Sequence, residues 1–352
     1  MTEASKKARI EYIDIAKGIG MILVIIGHCA GIPNWLNRFV FSVHMPLFFI
    51  LSGYTFSTKR NPSIKESIKK NAKALLIPYA VSCIIIIAVN TILAVIRHQD
   101  VLHEFELWTV SAIYGSGTHY LPVFDTWGIP ITFIGALWFL LAMFFARILF
   151  DLILRSKTPF LWTVASFFAG YVSARQIGWL PFSFQGGMCA VLFMYIGYVI
   201  RKNDLFRWDK IHWTLKVLML AFWMYCVKFC GHLYMVSNSY YDGFLDIIGA
   251  VSGTFIIVYI SQGLEKLTVF RVPLSALGRI SLGVMCAHCI VLDCFPTSNI
   301  AGSLLYRTGV PYGVWEMAIL FIMTGVVTFI LFLIPKVNAM MFPAYRKNNK
   351  KA

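Results

Sequence analysis

Lys17 and His28 lie eleven residues apart within the first apolar stretch of the chain. In an α-helix that spacing is about 1100° of rotation, roughly 20° beyond three full turns, and about 16 Å of rise. A cation and an imidazole therefore share one stripe of one helix, with the imidazole deeper in the apolar run. Ionisable side chains in lipid cost about 2.5–3.5 kcal/mol each on insertion scales, so they face protein or a wet cavity. Asp14 stands one turn before Lys17 and within about 40° of His28 in azimuth, and Arg9 adds charge just ahead of it. Histidine is the side chain whose proton affinity suits a general base near neutral pH. The competing reading is an interhelical hydrogen bond from a lone membrane histidine, and spacing alone leaves both open.

A second imidazole follows in Phe41-Ser42-Val43-His44-Met45-Pro46-Leu47-Phe48-Phe49. Only a short segment with Gly31, Pro33 and Asn34 separates His28 from His44, which predicts an antiparallel helix pair with both rings towards one end. Pro46 would free a backbone carbonyl there, tolerated only where protein or water satisfies it. Lys70 and Lys73 share a face three residues apart. They could grip phosphates as point charges, or serve as ordinary membrane anchors. Asp246, Asp293 and Glu316 fall near the ends of later apolar runs. Carboxylates there could accept several hydrogen bonds from a polyhydroxyl ligand, or stand in interfacial water. Cys286 and Cys289 flank His288 with a metal-like spacing, but no second pair completes a tetrahedral set. Packing is the expected role there, and no metal site is expected.

The elements that carry these residues are membrane helices. The chain is 59% hydrophobic and only 13% charged, where a soluble domain would be about one quarter charged. Apolar runs predict about ten spans, near 12–30, 36–57, 74–97, 131–154, 160–176, 184–201, 212–236, 244–262, 275–295 and 313–335. The expected fold is an all-α polytopic membrane bundle in one domain over 1–352, with spans and loops at 12–335 and a basic tail at 336–352. The net charge of +15 reports topology. Lys6, Lys7 and Arg9, then 59–73, 155–157, 201–210, 266–271 and the tail hold most of the cations, in alternate loops. That positive-inside pattern puts both termini in the cytoplasm and implies some attraction to anionic lipid headgroups, with no nucleic-acid partner. The first run lacks a cleavage site and is expected to be a retained span. The eight cysteines fall almost entirely within spans, so a disulfide framework is not expected. Ser63–Leu75 reads as an interfacial amphipathic helix with Ile64, Ile68, Ala72 and Leu75 on its apolar stripe. The loop at 98–130 is long enough to fold over a cavity, and equally could be a solvated connector.

The run from Tyr12 through Asp14 and Lys17 to Gly27-His28 resembles the opening of the acyltransferase-3 family of integral-membrane acyltransferases. The segment at 41–53 is similar to the family's second span, especially in its fucose-4-O-acetylase-like branch. Lys70-x-x-Lys73 before Pro78-Tyr79, Leu137-Trp138-Phe139-Leu140, and Ile280 to His288 extend the likeness over nearly the whole chain. The resemblance implies ten spans and a signature of Arg or Lys, ten residues, then His, which Lys17 and His28 meet. It also implies an Arg-x-x-Arg pair for acyl-CoA, where this chain has lysine twice. Lysine lacks the planar fork that binds phosphate bidentately.

The expected function is O-acetyl transfer from cytoplasmic acetyl-CoA to a hydroxyl of a cell-envelope carbohydrate, a lipid-linked sugar or a related acceptor, in the plasma membrane of a bacterium. His28 would be the catalytic base, with Lys17 and Asp14 beside it. Lys70, Lys73 and Arg9 would meet the donor, and His44, Asp246, Asp293 and Glu316 the acceptor. No permanently bound cofactor is expected, acetyl-CoA being the acyl donor. The alternative is a transporter of a small polar solute such as an amino acid or sugar.

Overall fold

The computed structural model describes residues 10–58, 63–118, 133–230 and 232–342. Lys6, Lys7 and Arg9, the tail beyond 342, and residues 119–132, which include the end of the 98–130 loop, lie outside the described residues.

Among the described residues fifteen α-helices follow in order: α1 (Glu11–Gly27), α2 (Asn34–Phe41), α3 (His44–Tyr54), α4 (Ile64–Asn71), α5 (Ile77–Ile96), α6 (Val101–Tyr114), α7 (Trp138–Arg155), α8 (Pro159–Gln176), α9 (Phe184–Lys202), α10 (Trp213–Phe229), α11 (Phe244–Leu264), α12 (Thr268–Cys294), α13 (Thr297–Thr308), α14 (Tyr312–Leu333) and α15 (Pro335–Met341). The only sheet among the described residues is a hairpin of β1 (Leu233–Tyr234) and β2 (Ser239–Tyr240), paired antiparallel. This is an all-α polytopic bundle. Among the described residues, seven helical stretches are long and apolar enough to cross a membrane. The other three expected spans correspond to α1 (17 residues), α8 (18) and α10 (17).

Each departure from the expected spans has a local cause. The span expected at 36–57 is broken at Ser42–Val43 into α2 and α3, so Pro46 falls in the first turn of α3. There the missing N–H is one the helix leaves unpaired anyway. The span expected at 212–236 stops at Phe229, and the apolar residues beyond it form the hairpin. The third span runs unbroken from α4 into α5 through a wider π turn at Ala72–Leu76, which ends two residues before Pro78. A proline ring clashes with the carbonyl four residues back, and a widened turn relieves that clash.

In α4, Ser63 caps the helix by accepting from the Glu66 amide at 3.2 Å. Its buried face is Ser67 and Asn71, continued by Leu75, whereas Ile68 of the expected apolar stripe is exposed. A helix lying at a bilayer surface does this, packing its polar edge on protein and leaving its apolar edge for lipid. The 98–130 segment is not a plain connector. It contains α6, capped by Asp100 at its start and closed by left-handed Gly115.

α1 packs along α12, and two glycines make the approach possible. A Cβ on Gly278 would sit 1.7 Å from the Asp14 carbonyl oxygen, and one on Gly18 would sit 2.3 Å from that of Leu274. Small residues facing backbone in this way let membrane helices associate by close packing. α12 in turn meets α5 and α14, and α3 packs on α9.

Candidate functional site

α1 ends at His28, whose ring folds back so that Nδ1 lies 2.8 Å from the Val24 carbonyl. A carbonyl only accepts, so Nδ1 carries the proton and Nε2 keeps its lone pair. The break between α2 and α3 repeats the device. His44, the first residue of α3, donates from Nδ1 to the Val40 carbonyl, also at 2.8 Å. Both imidazoles are thus held as the tautomer with a basic Nε2, by backbone of their own or the preceding helix.

His28 and His44 line a cavity of about 460 Å³, within the ordinary range for a small-molecule site. Asp293 of α12 lines it too, and Phe41, Trp138 and Tyr234 contribute aromatic wall. Asp293 is held by its backbone, its carbonyl accepting from Asn90 Nδ2 of α5 at 3.2 Å. Its side-chain Oδ2 is buried without a hydrogen-bond partner among the described residues. Gly135 lies against this carboxylate. A Cβ there would stand 3.1 Å from Oδ1, and φ of +51° also favours glycine.

The sequence leaves His288 between a packing role and a functional one. His288 is fully buried behind His28, the two ring centroids 5.1 Å apart and nearly perpendicular. Its Nδ1 meets Thr324 Oγ1 of α14 at 3.2 Å, while Nε2 has no partner among the described residues. Leaving a buried polar atom unpaired typically costs about 1–3 kcal/mol, which an apolar side chain would avoid. Its place in the run could not show this packing, since its neighbours come from α1 and α14.

The cavity roof comes from segments without regular helix. Gly117 and the stretch Phe133–Ala136 flank the undescribed part of the long loop, tied together by the Ile134 amide donating to the Ser116 carbonyl at 2.8 Å. Leu233 to Val236 of the hairpin cover the other side. His232 stacks on Tyr234 (centroids 5.3 Å, planes 12° apart). Burial, and secondarily the charge of Arg38, hold the His232 pKa below the usual histidine value.

The remaining expected residues lie elsewhere. Asp246 is buried at the start of α11, accepting from the Asp242 amide at 2.9 Å. Glu316 is buried in α14, accepting from Ser298 Oγ and Tyr312 Oη at 3.1 Å each. Neither lines the cavity. Asp14 is buried and Lys17 half-buried, about 21 and 16 Å from His28 along α1. Nearby, Arg201 donates to Tyr54 Oη at 3.0 Å, and Tyr54 pairs with Tyr12 at 3.0 Å. Arg279 stands 3.9 Å from Glu11. Lys70 and Lys73 are exposed on the α4–α5 continuation.

Chemically, the cavity offers two imidazole lone pairs and a carboxylate oxygen within aromatic walls. That set accepts protons and hydrogen bonds from hydroxyl groups, and stacks on the apolar faces of ring-shaped ligands. The family model described as an acyltransferase domain matches residues 10–335 of the chain. No curated protein and no solved structure matches it.

Proposed function

The chain belongs to the acyltransferase-3 family, and from that premise we propose that it is an O-acetyltransferase with its chemistry at the His28 cavity. Acetyl-CoA is the donor, and a hydroxyl of a cell-envelope carbohydrate or related acceptor receives the group. The observation that supports this most is the meeting of His28, His44 and Asp293 in one cavity, with basic Nε2 atoms on both rings.

The acceptor hydroxyl attacks the thioester carbonyl carbon while His28 Nε2 takes its proton. Such base catalysis contributes typically about 10²–10⁴-fold. The tetrahedral intermediate collapses, the C–S bond breaks, and the imidazolium returns its proton to the CoA thiolate. The products are the acetyl ester, free CoA thiol and neutral His28. His288 backs the His28 ring and holds its plane. His44 and Asp293 accept hydrogen bonds from other hydroxyls of the acceptor and orient it.

The donor's phosphates would be met by Lys17, towards the opposite end of α1, and by the exposed lysines at 70 and 73. With the nucleotide there, the extended arm of CoA has about 16 Å to cover along the helix. In this arrangement the basic end and both termini face the cytoplasm of a bacterial cell, and the cavity faces the outside. The test is incubation of purified protein with acetyl-CoA and membrane sugar extracts. Free CoA thiol and an acceptor heavier by one acetyl group are expected. Solute uptake into liposomes without acetyl-CoA, and no thiol release with acceptor present, would replace this reading with transport.

A further inference from the structure

A second depression opens beside the cavity on the outer surface of the bundle. Its volume is about 190 Å³, and its walls are Phe167, Phe168 and Tyr171 of α8, Tyr240 of β2, and Phe244 and Ile247 of α11. Phe168 is 48% exposed and Phe244 69%, so the rings rim an open groove. In a membrane protein an apolar surface alone says only that lipid is near. Two further features choose an occupant.

The first is charge. Arg175, in the last turn of α8, places its guanidinium 3.6 Å from the centre of the Tyr171 ring. It is exposed, and its hydrogen bonds, to the Tyr171 and Asn238 carbonyls, both use Nη1. A guanidinium has five N–H donors, so donors remain for an anion at the end of the groove. Apolar aromatic walls that end at a cation at a helix terminus match a hydrocarbon chain that ends in phosphate.

The second is continuity. The hairpin presents Leu233 to Val236 to the catalytic cavity and Tyr240 to the groove. Arg175 grips the turn between them through the Asn238 carbonyl, and Asn238 Nδ2 donates to the Gly170 carbonyl of α8 at 3.3 Å. A headgroup at Arg175 is therefore one short turn away from the cavity. We propose that this groove docks the hydrocarbon chain and phosphate of a carrier lipid, and that the acceptor reaches the cavity as a lipid-linked sugar. The proposal rests on the acyl-transfer reading above for its second half only.

Full-length protein in nanodiscs of neutral phospholipid would be given acetyl-CoA and either a polyprenyl-phosphate-linked sugar or the same sugar without lipid. CoA thiol release is the readout. The lipid-linked form should have the lower KM. Arg175→Gln should raise that KM relative to the free sugar's by about tenfold for the loss of one charge-assisted contact, and Phe168→Ala should raise it in the same direction through lost apolar contact. Equal use of both acceptors, or no change in their ratio in the variants, overturns the proposal. So does restoration of the variant ratio in the wild type by added anionic phospholipid, which would identify the groove's occupant as bulk lipid.

If neither acceptor releases thiol, the transfer reading fails and the groove is judged separately. Polyprenyl phosphate retained through native mass spectrometry by the wild type but lost in Arg175→Gln supports the docking site. Equal retention refutes it.

Discussion

The two ends of α1 solve opposite problems. At one end His28 meets His44 and Asp293 around a cavity, backed by His288, and the surrounding backbone is broken or irregular: the α2–α3 break, the hairpin and the flanks of the long loop. At the other end Lys17, Arg201 and Arg279 sit on continuous helices, with Tyr12 and Tyr54 between them. Irregular backbone aims a few side chains at one point, whereas continuous helices present charge along their length. The first arrangement suits bond making, and the second suits holding an anionic donor.

Substitutions should therefore divide by the kinetic constant they move. His28→Ala should have the largest effect, lowering kcat by about 10²–10⁴-fold with membrane insertion unchanged, as read by thiol release and by extraction with detergent. Near wild-type turnover in that variant would erase the distinction between the ends. His288→Phe keeps a ring against His28 but removes both nitrogens. It should lower kcat about tenfold with little change in either KM, the scale of one hydrogen bond. An unchanged kcat would reduce His288 to packing.

Lys70→Gln and Lys73→Gln should act on the donor side alone. Each should raise KM for acetyl-CoA by about two- to fivefold, the range for exposed charges, and the effect should fade as salt is added. A fall in kcat instead would place these lysines in the chemistry.

The smallest effect concerns the cavity roof. The folded protein holds the His232 pKa below its ordinary value of 6.5, chiefly by burial. The unfolded or opened segment therefore binds protons more readily than the closed one. Closure is fully favoured above about pH 6.5 and weakens as pH falls below that value. The protection of amides 232–240 against hydrogen exchange, taken relative to the intrinsic rate at each pH, should fall between pH 7.5 and 5.5, and His232→Asn should flatten that dependence.

The long apolar runs were legible because a bilayer tolerates few other sequences of that length. His28, Lys17 and His44 were legible because ionisable groups in such runs are costly. The break at Ser42–Val43 was not, since a single serine inside an apolar run does not mark a helix end and the one visible breaker, Pro46, lies three residues beyond it. The hairpin was hidden for a similar reason: Leu233, Tyr234, Met235 and Val236 extend the apolar character of α10 without extending its helix. Asp293, Asp246 and Glu316 look alike in sequence as carboxylates near span ends. Only Asp293 reaches the cavity, a difference made by Asn90 and Gly135 from distant parts of the chain.

The glycine contacts that weld α1 to α12 have a mechanical consequence. His28, His288 and Asp293 ride on that one stiff pair, so these three groups of the candidate site form a fixed doorframe. The remaining walls come from elsewhere, from Leu233 to Val236 of the hairpin and from Gly117, Phe133, Gly135 and Ala136. Which guests enter is set by a part that can be remodelled without disturbing the imidazoles. Changing acceptor scope in this enzyme accordingly begins at Leu233 to Val236.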